Sequence, residues 1–323
     1  MFYTIRHLTK FRYASPVSES VMETRMHPRT DNSQRCLNFQ LSVSPRCRVF
    51  SYRDHLGNQI HHFDIPAPHD QLTIVAESLV DLRPPQELPA RLAPESWAEL
   101  DAVVASEDSW EMLLPSEFAK PTPLLGEFIQ RFEVCRRDDP LTILKQLNEG
   151  MAAVIEYVPK STRVNSPIDE ALRNRKGVCQ DFAHIMITLA RGLGIPCRYV
   201  SGYLHSRKHD ADRSLAGATH AWVEAMLPHL GWVGFDPTNR VLVGERHIRT
   251  AIGRDYSDVP PTRGTFRGQT SSELIVAVRV TFSAEPPAME EGVPIPEDWS
   301  MLTEKSEPPS LSAQQQMQQQ QQQ

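Results

Sequence analysis

An α+β protein is what this sequence predicts, on three observations. The first ~85 residues alternate in hydrophobicity as strands do. Residues from about 94 to 192 carry apolar side chains at helical spacing. After Pro196 the strand alternation returns. Strand runs and helix runs are therefore segregated, without the strand–helix–strand order of a parallel sheet.

In the first block "MFYTIRHLTKFRY" and "QLSVSPRCRVFSYRDHLGNQIHHFDI" alternate, with breaks at Ser15–Pro16 and Leu56–Gly57–Asn58. "QLTIVAESLVDL" reads as a further strand, and Pro84–Pro85 ends the block. Residues 1–85 are thus expected to form a small antiparallel β domain. Residues 86–160 are expected to be a helical connecting region and the start of a core. Pro94 or Ser96 opens "ESWAELDAVVAS", and "TPLLGEFIQRFEV" is a second apolar-periodic run. Asp139 followed by Pro140 is a good start signal for "PLTILKQLNEGMAAVI".

Residues 161–283 are expected to hold the rest of that core. A helix opens at Cys179 and runs to about Arg191, where Gly192, Gly194 and Pro196 stop it. "CRYVSGYL", "HAWVEAML", "GWVGFDP" and "SELIVAVRVTF" follow as strands, with an exposed polar loop expected at 205–218. From 284 the chain reads "AEPPAMEEGVPIPEDW" and then a glutamine tract. That composition buries too little apolar surface to order itself, so residues 284–323 are expected to be a disordered tail.

The chain of 323 residues, 40% hydrophobic and 23% charged, has the make-up of a globular protein with ample length for a core. Its formal net charge is −6 and no Lys/Arg-dense run offsets it, which argues against nucleic acid as a partner. No stretch approaches the ~20 apolar residues of a membrane span, and the first residues lack the pattern of a secretory signal. The five cysteines, Cys36, Cys47, Cys135, Cys179 and Cys197, are odd in number and form no CxxC. They predict reduced thiols in a cytoplasm. Cys197 enters a strand as one more apolar residue and is given no role.

Cys179 stands apart because it heads a helix, where unpaired N–H groups and the dipole favour a thiolate. Its own N–H is there a ready donor to an oxyanion. Asp181 lies about 200° further round the helix and is expected to serve its first turn. In "HAWVEAML", Ala221, Val223 and Ala225 share the apolar face, so His220, Trp222 and Glu224 point the other way. In "GWVGFDP", Val233 and Phe235 face the core and Asp236 the opposite side. A hairpin centred on residue 228 would pair 224 with 232, 222 with 234 and 220 with 236, setting His220 beside Asp236. A thiol, an imidazole and an orienting carboxylate are the parts of nucleophilic thiol catalysis.

Together "GVCQDFAHIMITLARGLGIPCRYVSGYL" and "THAWVEAML…GWVGFDPTN" resemble the transglutaminase-like superfamily of papain-like cysteine enzymes, in its bacterial form. The three blocks come in the family's order, with His220 41 residues after Cys179 and Asp236 16 after His220. "YTIRHLTKFRYASPV…DHLGN" resembles the β-rich region that precedes this core in many bacterial members. The resemblance implies a papain-like core, its nucleophile helix packed on an antiparallel sheet, behind a β domain. It implies Cys179 as nucleophile, His220 as general base and acid, and Asp236 as the orienting carboxylate. It further implies a peptide or carboxamide substrate and a thioester acyl-enzyme. Release to water gives a peptidase or amidase, the favoured reading; release to an amine gives a transglutaminase. In such enzymes a second oxyanion donor often precedes the nucleophile, and Tyr157 is the candidate. Trp222 is the candidate shield over His220.

No HExxH or paired CxxC supports catalytic zinc, although His61, His62, His184, His205 and His209 are available. Asp210 and Asp212 are too few for a calcium cage. No cofactor is expected. The rival reading is a scaffold that keeps the fold without chemistry. In either case the N-terminal β domain is where a protein partner would be expected.

Overall fold

The structure, a computed structural model, describes residues 1–106, 109–206 and 217–287. Six strands come first: β1 (Phe2–Val17), β2 (Glu19–Thr24), β3 (Gln34–Ser44), β4 (Val49–Arg53), β5 (Gln59–Ile65) and β6 (His69–Leu82). Three helices follow: α1 (Ser96–Ser106), α2 (Pro123–Arg131) and α3 (Pro140–Val154). The short strand β7 (Glu156–Tyr157) leads to α4 (Ile168–Asn174), β8 (Lys176–Gly177) and α5 (Cys179–Gly192). Strands then continue as β9 (Cys197–Leu204), β10 (His220–Leu227), β11 (Gly231–Asp236), β12 (Val241–Leu242) and β13 (His247–Gly253), with β14 (Thr262–Arg267) and β15 (Ser272–Ser283) last. The mixed α+β class is the one predicted.

The chain divides into two compact units, one made of Met1–Leu82 with the described residues from Pro261 to 287, the other of Arg83–Pro260. In the first, two four-stranded sheets have the orders β15-β1-β6-β3 and β14-β2-β5-β4. Alternation along β1 buries Tyr3, Ile5, Phe11 and Tyr13. Phe11 and Ile74 from one sheet meet Met22 and Phe63 from the other in a single apolar cluster.

One expectation is corrected here. Residues 261–283 do not belong with the core that precedes them. β14 pairs with β2, and β15 pairs with β1 from Phe2↔Ser283 to Tyr13↔Ser272. Alternation identifies a strand but not its distant partner, so the sequence held no sign of this pairing.

In the second unit a five-stranded antiparallel sheet, ordered β12-β11-β10-β9-β13, packs against α5. The helix is buried on two sides. Ala183, Met186 and Ala190 meet Ala221, Val223 and Ala225 of the sheet, whereas Phe182, Ile185 and Leu189 join Leu125, Met151 and Ile168. α3 starts where Asp139 predicted, its carboxylate accepting from the N–H groups of Leu141 and Thr142. The seven-residue α4 carries too little periodicity to be read from sequence. Among the described residues no helix is long and apolar enough to cross a membrane. Residues 207–216 of the expected loop and 288–323 of the expected tail lie outside the described residues.

The β10–β11 hairpin keeps its predicted faces but not its predicted register. Val223 stands opposite Phe235 and Leu227 opposite Gly231, a slide of two residues from a hairpin centred on 228. Turn chemistry decides this. The Leu230 N–H bonds to the Leu227 carbonyl, with Pro228 second and His229 third in the turn at φ 60°. Proline with a fixed φ followed by a positive-φ residue is the type II arrangement. A two-residue slide leaves every side chain on its own face, so alternation alone could not tell the two registers apart.

Two glycines test this packing. At Gly150, within α3, an added methyl would meet nothing within 4 Å; at Gly202 it would run into the Ile248 carbonyl and the Trp222 ring. Thermal unfolding should show Gly150→Ala stabilising by about 0.5–1 kcal/mol. Gly202→Ala should destabilise by about 1–3 kcal/mol.

Candidate active site

Cys179 is the first residue of α5, after Val178 in extended conformation. Valine has no acceptor with which to cap a helix, and Asp181 compensates. Its carboxylate accepts the Val178 N–H at 2.8 Å and the Thr162 hydroxyl at 2.5 Å, the carboxylate half of a capping box from the third helical position. This is the first-turn service expected of Asp181. Burial pushes its carboxyl up to about 6, the Glu170 charge adds to that, and the hydrogen bonds from Thr162 and Val178 oppose it. Gly177 leaves room for it, since a Cβ there would stand 3.0 Å from the Asp181 carboxyl. The amides of Cys179 and Gln180, at the head of the helix, have no intrahelical acceptor and offer N–H groups beside the thiol.

His220 comes from β10 and Asp236 from the end of β11. With the observed register they lie on a diagonal, and the imidazole reaches across: Nε2 to Oδ2 is 2.8 Å, with both side chains buried. Burial disfavours charge on His220, but the Asp236 charge and hydrogen bond, with Cys179 beside the ring, outweigh it and raise the imidazole to about 10. Burial also works against the Asp236 charge, and His220 and His247 together hold that carboxyl well below the usual range. Nε2 being committed to Asp236, Nδ1 is the ring nitrogen left for the sulfur.

The structure adds two residues that the motifs did not show. Asn239 donates Nδ2–H to Asp236 Oδ2 at 2.8 Å, while the Thr238 and Asn239 backbone N–H groups bond to Oδ1 at 3.1 and 3.2 Å. This is an Asx turn, and "DPTN" was its available signal. His247, from β13, places Nε2 3.1 Å from Asp236 Oδ2. No local pattern marks it, because it arrives from a strand on the far edge of the sheet.

His220, Asp236 and His247 are close enough together to ask whether they hold a metal ion. The hydrogen bonds answer against it. The Gly244 N–H points at His247 Nδ1 at 3.3 Å, so Nδ1 is the acceptor and Nε2 carries the proton that Asp236 receives. No lone pair on Nε2 remains for a cation unless that contact breaks. His184, a further buried imidazole of this unit, is kept neutral by burial, stacks on Phe118 and accepts the Tyr256 N–H through Nε2.

Trp222 is fully buried, 6.1 Å from the His220 ring and 5.3 Å from that of His247. Tyr157 reaches the site through its backbone, paired with Gly177 just before the cysteine. Its half-buried side chain packs against the apolar cluster that includes Phe182, Ile185 and Leu189 of α5. Two phenols, those of Tyr199 and Tyr256, feel the Cys179 sulfur. Burial raises Tyr199 well above the usual phenol range and Tyr256 to about 12, with Cys179 adding to both.

Two family models match this chain: the transglutaminase-like superfamily over residues 133–237, and the bacterial transglutaminase-like N-terminal region over residues 3–81. An uncharacterised protein of Mycobacterium leprae is 33% identical over 277 residues, 85% of this chain and 96% of that one. The chain belongs to the transglutaminase-like superfamily. An uncharacterised Mycobacterium tuberculosis protein is 31% identical over 299 residues, covering 84% of this chain and 90% of its own. A Pseudomonas aeruginosa protein-glutamine gamma-glutamyltransferase is 28% identical over 158 residues, 46% of this chain and 21% of that one. For the superfamily fold itself, a crystal structure of a Cytophaga hutchinsonii protein proposed to be a cysteine protease aligns with TM-score 0.68. It is 21% identical and covers 90% of this chain and 94% of its own.

In this member of the superfamily the buried pair makes stability depend on pH. His220 is raised from 6.5 to about 10 on folding, so its contribution is fully present below pH ~6.5 and is lost as pH rises toward about 10. The Tm difference between the native chain and His220→Gln should be larger at pH 6 than at pH 10. A difference that grows with pH would contradict the pairing. Asp236→Asn, which removes the charge from under two imidazoles, should cost about 3–5 kcal/mol at pH 6.

Proposed function

We propose that the protein is a thiol-dependent enzyme that cleaves a peptide or carboxamide bond through a thioester on Cys179. The observation that carries this reading is the 2.8 Å contact of His220 with buried Asp236, beside a cysteine at the head of α5. A ring raised to about 10 is an imidazolium at neutral pH. A cation next to the sulfur, with the helix N-terminus behind it, favours the thiolate.

The steps follow from these positions. The thiolate attacks the carbonyl carbon, and the Cys179 N–H donates to the oxygen as it becomes negative, an interaction worth roughly 2.7–4 kcal/mol in known cases. His220 passes its proton to the departing nitrogen, the C–N bond breaks and a thioester remains. Water or an amine then attacks the thioester, His220 takes the incoming proton, and the sulfur leaves as thiolate. Asp236 keeps the ring aligned throughout and does not itself take the proton. Trp222 keeps water off the ion pair, and Tyr157 holds the strand that delivers Cys179.

Hydrolysis is the preferred outcome, since water needs no acceptor site. Transfer to an amine is the second reading, favoured by the likeness to the Pseudomonas aeruginosa protein named above. The substrate is a peptide or protein. All five thiols are free, which suits a reducing cytoplasm.

Mass spectrometry of the native chain and Cys179→Ala, each incubated with mixed peptides, tests this. An acyl adduct on Cys179, absent from the variant and from His220→Ala, is expected. Its release by water alone gives a hydrolase, and release only on adding a primary amine gives a transferase. Equal peptide turnover by Cys179→Ala would refute the proposal.

A further inference from the structure

β15 is the outer strand of its sheet, in the order β15-β1-β6-β3, with β1 on one side and no strand on the other among the described residues. An edge strand turns alternate N–H and C=O groups outward, a template for a further strand. Proteins blunt such edges with proline, lysine, a bulge or shortness. The other edges of this unit follow that rule. β3, at the far side of the same sheet, has a bulge between Cys36 and Asn38. β14 and β4, the edges of the second sheet, are six and five residues long.

β15 is not blunted. Its twelve residues, "SELIVAVRVTFS", pair with β1 without a shift and include no proline, glycine or lysine. Val276 in its middle and Phe282 near its end are 42% and 44% exposed, so this apolar edge is open.

Charge narrows which strand fits there. β15 has one acid and one base, Glu273 and Arg279, placed three residues to either side of Val276. A second β15, antiparallel and related by a two-fold axis at Val276, therefore sets Glu273 of each copy opposite Arg279 of the other. A parallel pairing in register would set like against like. The neighbouring strand favours the antiparallel choice. Arg279 stands opposite Arg6, which is paired with Glu77 at 3.2 Å, so that row holds two arginines to one acid. Glu273 stands opposite Arg12, and Lys10 opposite Ile275 in a row of its own. Like charges directly opposite weaken a ladder and unlike charges support it. An acid arriving beside Arg279 balances the first row.

We propose that two copies of this chain pair through β15, antiparallel about Val276, and join their four-stranded sheets into one. Leu274 then meets the partner's Val278, and the two Val276 side chains meet at the axis. Residues 272–280 of each copy overlap. Nine residues a side are fewer than the about 20–30 of a standard interface, so the pairing is reversible and set by concentration.

Sedimentation velocity of the full chain over a concentration series tests this. The native chain should pass from monomer to dimer as concentration rises, and the amides of 272–280 should gain hydrogen-exchange protection along the same series. Glu273→Arg and Arg279→Glu, each alone, put like charges opposite at both pairs and should weaken the dimer about tenfold. Mixing the two variants should restore it, because only the mixed pair matches. That rescue separates pairing from damage to the fold. A native chain still monomeric at its solubility limit overturns the proposal, as does a mixture no more dimeric than its components. Protection of 272–280 that is the same at every concentration also overturns it, since one chain then covers its own edge.

Discussion

Asp236 is a carboxylate with almost no access to solvent that accepts five hydrogen bonds, from His220, His247, Asn239 Nδ2 and the amides of residues 238 and 239. An isolated charge at that depth would cost several kcal/mol, so the network has to be complete to exist at all. Its donors arrive from β10, β13 and the turn after β11. The sheet's strand order, β12-β11-β10-β9-β13, is therefore what the charge depends on. The charge in turn determines that His220 is a cation where it meets the sulfur.

A second requirement acts at the other end of the pair. A helix start that favours an anion must here serve both the Asp181 carboxylate and the Cys179 sulfur. The structure separates their uses: Asp181 turns toward Val178 and Thr162, which consume its lone pairs, and leaves the foremost amides to the sulfur's side. Gln180 does the same mechanical work, donating from Nε2 to the Val164 carbonyl at 2.7 Å. The two residues that follow the cysteine thus strap the 162–164 segment to the turn that carries it. That gives the "GVCQD" stretch a physical reason beyond its cysteine.

How much of this was legible depended on whether the information was local. The start of α3 was legible because Asp139 and Pro140 act on their own turn. So was the meeting of His220 with Asp236, because alternation fixes which face each occupies. The register between them was not, since Pro228 and His229 shift it by two without disturbing either face. His247 was hidden for a different reason: β13 reaches the carboxylate from the opposite edge of the sheet, and a long-range neighbour leaves no periodic mark. The same holds for β15, readable as a strand but not as the partner of β1. The pairing of Tyr157 with Gly177 through β7 and β8 was likewise hidden, since a two-residue strand carries no alternation to read.

The central claim is that Asp236 holds His220 as an imidazolium beside the Cys179 sulfur and so makes that thiol the reactive one. The rate of iodoacetamide alkylation at each cysteine, followed from pH 5.5 to 9, measures this directly. Burial pushes Cys36 up to about 11 and Cys197 up to about 12, so both should stay inert over the whole range and serve as internal references. The account predicts that at pH 6 Cys179 labels faster than the other four cysteines, and much more slowly in Asp236→Asn than in the native chain. Labelling of Cys179 that is equally fast in the native chain and in Asp236→Asn, or no faster than that of exposed Cys135, would contradict it.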